Sequence, residues 1–262
     1  MSILAANGFV AVGNDHLGHG KSILYSGEQG FFAEEDGWTH VVDDMNALRE
    51  IVRKEYPDIP YVFFGHSMGS FLTRTYLIRY PDQYDGAIIS GTGHQSPALA
   101  FAGYALAELE VLKGNGRKPG HALNDIAFGS YCSKIPDKRT EFDWLSRDNA
   151  VVDRYIADPL CGFVATNSLF RDMMFGIRFI IKQSNINKMN RSKPIYFMSG
   201  SADPVGEYGK GVENAYKAFC KAGLEDVMMR LYPDGRHEML NETNKESVYT
   251  DILSWIKEKI LK

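Results

Sequence analysis

The sequence predicts an α/β protein built on a mostly parallel, doubly wound sheet. Short apolar runs alternate with longer segments whose apolar residues recur at helical spacing. Three of these runs, at 9–13, 61–64 and 86–90, are separated by enough chain for a crossover helix. Each run is apolar throughout, as expected of parallel strands covered by helices on both faces. Ligands of such a sheet bind beyond the carboxyl ends of its strands.

The N-terminal part of the chain is predicted to alternate helices and strands. Residues 3–7 have the composition of a helix end, and Gly8 suits the position that stops it. The first strand, 9–13, precedes a helix from 36 to 56 with its apolar residues on one side. The next strand, 61–64, runs directly into another helix. Residues 86–90 then form a further buried strand.

A glycine-rich segment, 15–22, follows the first predicted strand. It resembles the phosphate-binding pattern G-x-x-x-x-G-K-[ST], but Asp15 stands where that pattern requires its first glycine. A phosphate-binding loop is therefore excluded, and a tight turn is the preferred interpretation.

The alternation is interrupted after the strand at 86–90. Residues 92–193 are mostly helical in pattern and rich in large apolar side chains, which is typical of a lid inserted above the strand ends. Most of these side chains are expected to form the lid's own core. The alternation then resumes with a strand at 194–200, a helix at 212–222, a strand at 227–232 and a helix at 245–261. The predicted core thus consists of residues 1–91 and 194–262, with the lid, 92–193, between them.

The strand at 61–64 leads into Gly65-His66-Ser67-Met68-Gly69, the pattern G-x-S-x-G. A strand that turns at once into a helix needs a sharp corner, and glycines on either side of the Ser allow it. Such a corner holds the hydroxyl at the top of the sheet, facing the N–H groups of the next helix. A Ser hydroxyl is a weak nucleophile without a base, so the motif predicts a His and an acid later in the chain.

The predicted acid and base each follow a different strand. Asp203 lies just after the strand at 194–200, and His237 just after the strand at 227–232. The order Ser67, Asp203, His237 is the one expected of the α/β-hydrolase plan, and the backbone N–H of Met68 would be one oxyanion donor. Asp234 is a rival acid, but its place in the same loop as His237 favours a role in the turn.

Two patterns that suggest a metal site are incomplete. His16 and His19 lie in the glycine-rich segment, but no Cys or carboxylate pattern completes a ligand set. His237-Glu238 begins like the zinc motif H-E-x-x-H, yet Asn241 occupies the position of the second His. We therefore predict no metal ligand and no cofactor.

Composition narrows the choice of partner and compartment. A formal net charge of −4 and an isoelectric point near 6.0 argue against a nucleic-acid partner. The sequence contains no apolar run long enough to span a bilayer and no recognisable secretion leader. The cysteines, three in number, are widely spaced and are expected to be reduced thiols of a cytoplasmic protein, although one disulfide remains open. The oligomeric state is not predicted.

Together these segments resemble the monoacylglycerol lipase and lysophospholipase group of α/β-hydrolases, also called serine aminopeptidase S33-like. The resemblance covers essentially the whole chain and implies hydrolysis of a carboxylic ester of a lipid-like monoacyl substrate through an acyl-enzyme. A transient contact of the lid with a membrane or micelle would fit such a substrate. The segments that carry the resemblance are Asp15–Ser22, Gly65–Gly69, Ser199–Pro204 and the His237 loop, and, within the lid, Trp144–Asp148 and Tyr155–Leu160.

The sequence departs from this group at its N-terminus. Members of the group begin with two antiparallel strands, a third strand ending in a His-Gly oxyanion loop, and a helix, whereas this sequence starts in the last turn of that helix. The third strand would lie between 9–13 and 61–64, and its loop would supply a second oxyanion donor, worth on the order of 10²–10³ in rate. We therefore expect Met1 to be an internal methionine of a chain longer by roughly 40–60 residues.

Alternatives remain within and outside this class. On the same fold, the protein could be a peptidase, or an acyltransferase in which an alcohol replaces water. It could also be a truncated protein with little or no activity. The complete Ser, Asp and His set favours an enzyme, whereas the absent oxyanion loop favours the inactive alternative.

Overall fold

The computed structural model describes residues 2–25 and 27–261, without the side chain of Ser2. Its central feature is a four-stranded sheet in the order β1-β2-β3-β4, with every neighbouring pair parallel. The strands are β1 (Val62–His66), β2 (Gly86–Ser90), β3 (Ile195–Gly200) and β4 (Val227–Tyr232). Because consecutive strands are parallel neighbours, all four carboxyl ends meet at one edge, where the predicted ligand site belongs.

The described residues form ten α-helices around this sheet. They are α1 (Ser2–Ala6), α2 (Gly37–Glu55), α3 (Met68–Arg79), α4 (Pro97–Glu110), α5 (His121–Phe128), α6 (Asn149–Ala157), α7 (Asn167–Ile180), α8 (Gln183–Ile186), α9 (Lys210–Lys221) and α10 (Lys245–Lys259). Helices therefore occupy the connections between strands, as parallel pairing requires.

Two hydrophobic cores cover the two faces of the sheet. Ile89 and Phe197 point to one face and pack with buried residues of α2, α3, α7 and α9. Their neighbours along the strands, Ile88 and Tyr196, point to the other face and pack with Trp255 and other residues of α10. Successive strand residues point to opposite faces, so both faces must be apolar, which explains the continuous apolar runs of the sequence.

The predicted strand at 9–13 is absent from the structure, and that prediction was wrong. These residues are irregular, and the side chains of Val10 and Val12 are 48% and 42% exposed. A strand exists only through pairing, and β1 pairs with β2 alone among the described residues. Although these residues are apolar, they have no neighbouring strand, in the part of the chain that the structure describes, with which to form backbone hydrogen bonds. The sheet therefore begins at β1, where Phe64 is 37% exposed.

The stretch 92–193 between β2 and β3, here called the insert, contains α4 to α8. It is joined to the core at several places, two of which involve α3. Helix α7 packs along α3, and its residues Leu169, Ile177 and Ile180 belong to the same buried cluster as the sheet. The guanidinium of Arg74 in α3 is fully buried and donates to the carbonyl oxygen of Gly93 at 2.7 Å. The beginning of the insert and its helix α7 are thus both bound to the helix that follows Ser67.

Candidate active site

Ser67 lies at a sharp turn between β1 and α3. Its backbone adopts φ 54° and ψ −124°, a strained conformation for a residue with a side chain. A Cβ at Gly65 would collide with the Thr73 hydroxyl and the Gly69 carbonyl, so this position requires glycine. The Ser67 N–H donates to the Ser90 carbonyl at 3.0 Å, which fixes the turn against β2. The local sequence thus produces the sharp strand-to-helix turn that the G-x-S-x-G pattern predicts, with Ser67 only partly buried.

Asp203 and His237 lie together beyond the ends of β3 and β4. The Nδ1 atom of His237 is 2.9 Å from Oδ2 of Asp203, and the two residues are 2% and 0% exposed. A carboxylate accepts here, so Nδ1 carries the proton and donates, which leaves Nε2 as an acceptor. This is the tautomer that a general base acting on a Ser hydroxyl requires.

Further hydrogen bonds keep Asp203 ionised. The Ser199 hydroxyl donates to Oδ2 at 3.0 Å, and the Val205 N–H donates to Oδ1 at 2.9 Å. Burial alone would raise the pKa of Asp203, but His237 and these two donors lower it below its ordinary value. Ser199 lies in the segment Ser199–Pro204, yet no signal in the sequence indicates that its hydroxyl supports the carboxylate.

The loops that carry the acid and the base meet at two glycines. A Cβ at Gly200 would collide with the backbone of Gly235, and the Ala202 N–H donates to the Gly235 carbonyl at 2.9 Å. This close approach of the two loops allows Asp203 on one loop to reach His237 on the other. Asp234, the rival acid, is exposed and has a φ of 57°. Its backbone N–H donates to the Ser201 hydroxyl oxygen at 2.9 Å. It shapes the turn, and the partner of His237 is Asp203.

His66 links the turn that carries Ser67 to the base, His237. Its ring centroid is 4.5 Å from that of His237, and Ser67 is the next residue along the chain. Within the described residues no hydrogen bond joins the Ser67 hydroxyl to His237, a separation that is common in enzymes without bound substrate. Met68 begins α3, so its backbone N–H has no carbonyl partner within the helix and can serve an oxyanion.

The His237 loop is held by a buried carboxylate that sequence reasoning missed. Glu242 is 0% exposed and accepts from the Arg236 N–H at 3.0 Å, the Arg147 N–H at 2.9 Å and the Arg147 guanidinium at 2.9 Å. Burial alone would raise the pKa of Glu242, but these donors and the Thr243 N–H lower it below its ordinary value. Glu242 thereby ties the base loop to the insert.

We expect Glu242→Gln to lower the free energy of unfolding by about 2–3 kcal/mol, because its backbone donors would lose a charged acceptor. Urea denaturation measures this change, with Glu258→Gln, an exposed residue of α10, as the control at less than about 0.5 kcal/mol. The difference should be complete above the pKa of an unfolded Glu, about 4.3, and should disappear as the pH falls through the lowered pKa of Glu242. Equal effects of both substitutions would contradict this account.

A parallel sheet with helices on both faces and a G-x-S-x-G turn between strand and helix define an α/β-hydrolase. The model of one family in this class, described as serine aminopeptidase S33, matches residues 1–244. The chain belongs to this family, which confirms the resemblance seen in its motifs.

Individual proteins that resemble this chain share only a modest fraction of its residues. A monoacylglycerol lipase of Mycolicibacterium smegmatis is 27% identical over 252 residues, covering 96% of this chain and 79% of the relative. A monoglyceride lipase of Rattus norvegicus is 26% identical over 251 residues, covering 94% of this chain and 73% of the relative. Among solved structures, a thermostable carboxyl esterase from Bacillus coagulans in complex with glycerol superposes with a TM-score of 0.86 at 30% identity, covering 94% of this chain and 79% of that one.

Proposed function

We propose that this protein hydrolyses carboxylic esters of lipid-like monoacyl substrates, such as monoacylglycerols or lysophospholipids. The observation that carries the proposal is the buried Asp203–His237 pair beside the strained turn of Ser67. Relatives that share about a quarter of its residues over most of their length are lipases of monoacylglycerols, which supports this substrate class. The reaction needs no cofactor, since Ser, His and Asp supply nucleophile, base and orienting group.

In this proposal the Ser67 hydroxyl attacks the ester carbonyl while its proton passes to Nε2 of His237. The negative charge that develops on the carbonyl oxygen is stabilised by the Met68 N–H. Collapse of the tetrahedral intermediate expels the alcohol, which takes the proton from His237 and leaves an acyl group on Ser67. Water then repeats the sequence, with His237 as base, and releases the fatty acid. Asp203 holds the imidazole tautomer throughout.

We further propose that the insert, 92–193, is a lid through which substrate enters from an aggregate. Helix α4 carries no charged residue before Glu108. Four of its apolar side chains, Leu99, Phe101, Leu106 and Leu109, are between 48% and 59% exposed, so the helix presents an apolar surface suited to a transient contact with a membrane or micelle. No helix among the described residues is both long and apolar enough to cross a bilayer. The cysteines Cys132, Cys161 and Cys220 are unpaired, which favours a cytoplasmic location.

Two related activities compete with hydrolysis. The name of the matched family favours a peptidase, and an acyl-enzyme could transfer its acyl group to an alcohol in place of water. Both would use the same nucleophile and base. Product analysis therefore discriminates them better than any variant of the site.

The test combines an active-site probe with product analysis. A fluorophosphonate probe should label one peptide, the one containing Ser67, because such probes react only with an activated serine. The protein should release fatty acid from monoacylglycerols and lysophosphatidylcholine and should leave an aminoacyl-p-nitroanilide intact. Faster cleavage of the anilide would establish the peptidase, and diversion of the acyl group to added glycerol would establish the acyltransferase. A folded protein that is not labelled would overturn the proposal.

A further inference from the structure

The imidazole of His237 contacts two aromatic rings from different parts of the chain. The Trp144 ring, from the insert, has its centroid 5.0 Å from that of His237 at an interplanar angle of 46°. The His66 ring, from the end of β1, is 4.5 Å away at 43°. The described proton-transfer scheme uses neither ring. Trp144 belongs to the segment Trp144–Asp148, for which the family resemblance implies no particular role.

The backbone around Trp144 is bound directly to the backbone of the His237 loop. The His237 N–H donates to the Trp144 carbonyl at 3.3 Å, and the Glu238 N–H donates to the Leu145 carbonyl at 2.8 Å. The Arg236 guanidinium donates to the carbonyl oxygens of Asp143 and Ser146 at 2.6 and 2.9 Å. Together with the Glu242 contacts, these bonds fix the Trp144 ring relative to His237. We call residues 143–147 the anchor segment.

Other aromatic residues of the insert also pack against the indole. The Tyr131 ring meets Trp144 edge-on at 5.0 Å, and the Phe128 ring stacks on it at 6.3 Å. The indole cannot move away from His237 without disturbing its contacts with these two rings. The ring contact is therefore a built feature of the insert.

His66 contributes the second ring, and this ring is neutral. Its Nδ1 lies 3.1 Å from the Ser90 hydroxyl. Burial, and next the neighbouring His237, lower the pKa of His66 to about 3, so it carries no charge at neutral pH. A protonated His66 would repel the imidazolium that forms on His237. Because His66 is neutral, it does not counteract an attraction between the Trp144 ring and the imidazolium.

We propose that Trp144 is a positioning residue that orients the imidazole of His237 and stabilises its protonated form during acyl transfer. The proposal rests on the proposed function, because only that function requires His237 to become an imidazolium. An indole face attracts a cation whose centre lies within about 6 Å, most strongly where water is excluded. His237 is 2% exposed, so this attraction acts in such an environment. The insert would thereby take part in proton transfer as well as cover the site.

The charges of the other titratable groups around His237 can be assigned from their contacts and burial. The anion is Asp203, bonded to Nδ1, and His66 is neutral. Burial, and next Asp203, raise the pKa of Tyr131 far above its ordinary value, so its phenol is neutral as well. None of these groups is itself substituted in a Trp144 variant. A change in the protonation of His237 would therefore be traceable to the lost indole.

The test compares Trp144→Leu, which removes the aromatic face, with Trp144→Phe, which keeps one. The matched control is Phe142→Leu, since Phe142 lies in the same loop and contacts the Tyr155 ring at 5.2 Å instead of His237. Ring-proton NMR follows the titration of His237 directly and needs no activity. We expect its midpoint in Trp144→Leu to fall by about 0.5–1 pH unit, with a smaller fall in Trp144→Phe and none in Phe142→Leu.

Kinetics supply the second readout. In Trp144→Leu we expect kcat/KM to fall about three- to thirtyfold and the acid limb of the pH–rate profile to move to lower pH in step with the NMR midpoint. An unchanged or raised midpoint in a folded Trp144→Leu protein would overturn the proposal. An equal shift in Phe142→Leu would also overturn it, because the effect would then be structural. Failure of the wild type to react with the fluorophosphonate probe would instead overturn the proposed function, and the NMR comparison would still decide the ring contact.

Discussion

Replacing Ser67 by Ala is expected to lower kcat for ester hydrolysis by about 10⁶-fold and to abolish labelling by a fluorophosphonate probe. The substitution removes the only atom that can bond to the acyl group, and water bound in its place lacks the strained, fixed position of the Ser67 oxygen. The backbone conformation at φ 54° disfavours Ala as it does Ser, so folding should change little. Steady-state kinetics and gel fluorescence measure the two effects.

The control for this experiment is Ser247→Ala, which removes an exposed hydroxyl from α10. It should retain full activity and labelling. Residual labelling of the Ser67→Ala protein at the wild-type rate would show that another residue is the nucleophile. The proposed mechanism would then be wrong, even if the protein hydrolyses esters.

Asp203→Asn is expected to lower kcat by about 10⁴-fold. The carboxylate accepts the proton of His237 Nδ1, whereas an amide can present its NH2 group there and favour the opposite tautomer. Nε2 would then carry the proton and could not accept one from Ser67. The buried Ser199 hydroxyl and Val205 N–H would keep the amide in place, so the loss is one of proton transfer more than of geometry.

Asp234→Asn provides the matched control, because it makes the same chemical change in the neighbouring loop. Its side chain is exposed, and we expect kcat within about twofold of the wild type. The NMR spectrum of His237 should report the tautomer change in Asp203→Asn alone. A large loss in Asp234→Asn with a small loss in Asp203→Asn would reverse the assignment of the acid.

The sequence predicted those parts of the fold that depend on local patterns. Strands β1 to β4 are specified by short apolar runs: the bounds of β2 and β4 are those predicted, and those of β1 and β3 differ by at most two residues. The bounds of α9, which helical spacing predicts, also differ by at most two residues. The predicted strand at 9–13 failed because a strand also needs a partner, and pairing between distant segments leaves no mark in local composition.

The site likewise has parts that local sequence patterns indicate and parts that depend on contacts between distant segments. Ser67, Asp203 and His237 could be chosen because each follows a strand and carries its own chemical signature. Glu242 and Trp144 could not, because what makes them important is contact with segments about 90 residues away. A buried carboxylate and an indole look ordinary in a sequence, and only tertiary structure reveals which atoms they meet.

The contacts of the anchor segment also bear on how this protein can be re-engineered. Exchanging inserts between relatives is an attractive way to change acyl preference. Here, however, the anchor segment supplies carbonyl acceptors to Arg236 and a cation to Glu242, both of which belong to the core. A chimera that replaces the whole insert would leave those partners buried without their bonds. Crossover points placed on either side of 143–147, which retain this segment with its own core, would exchange the helices of the insert and keep the His237 loop bonded to its partners.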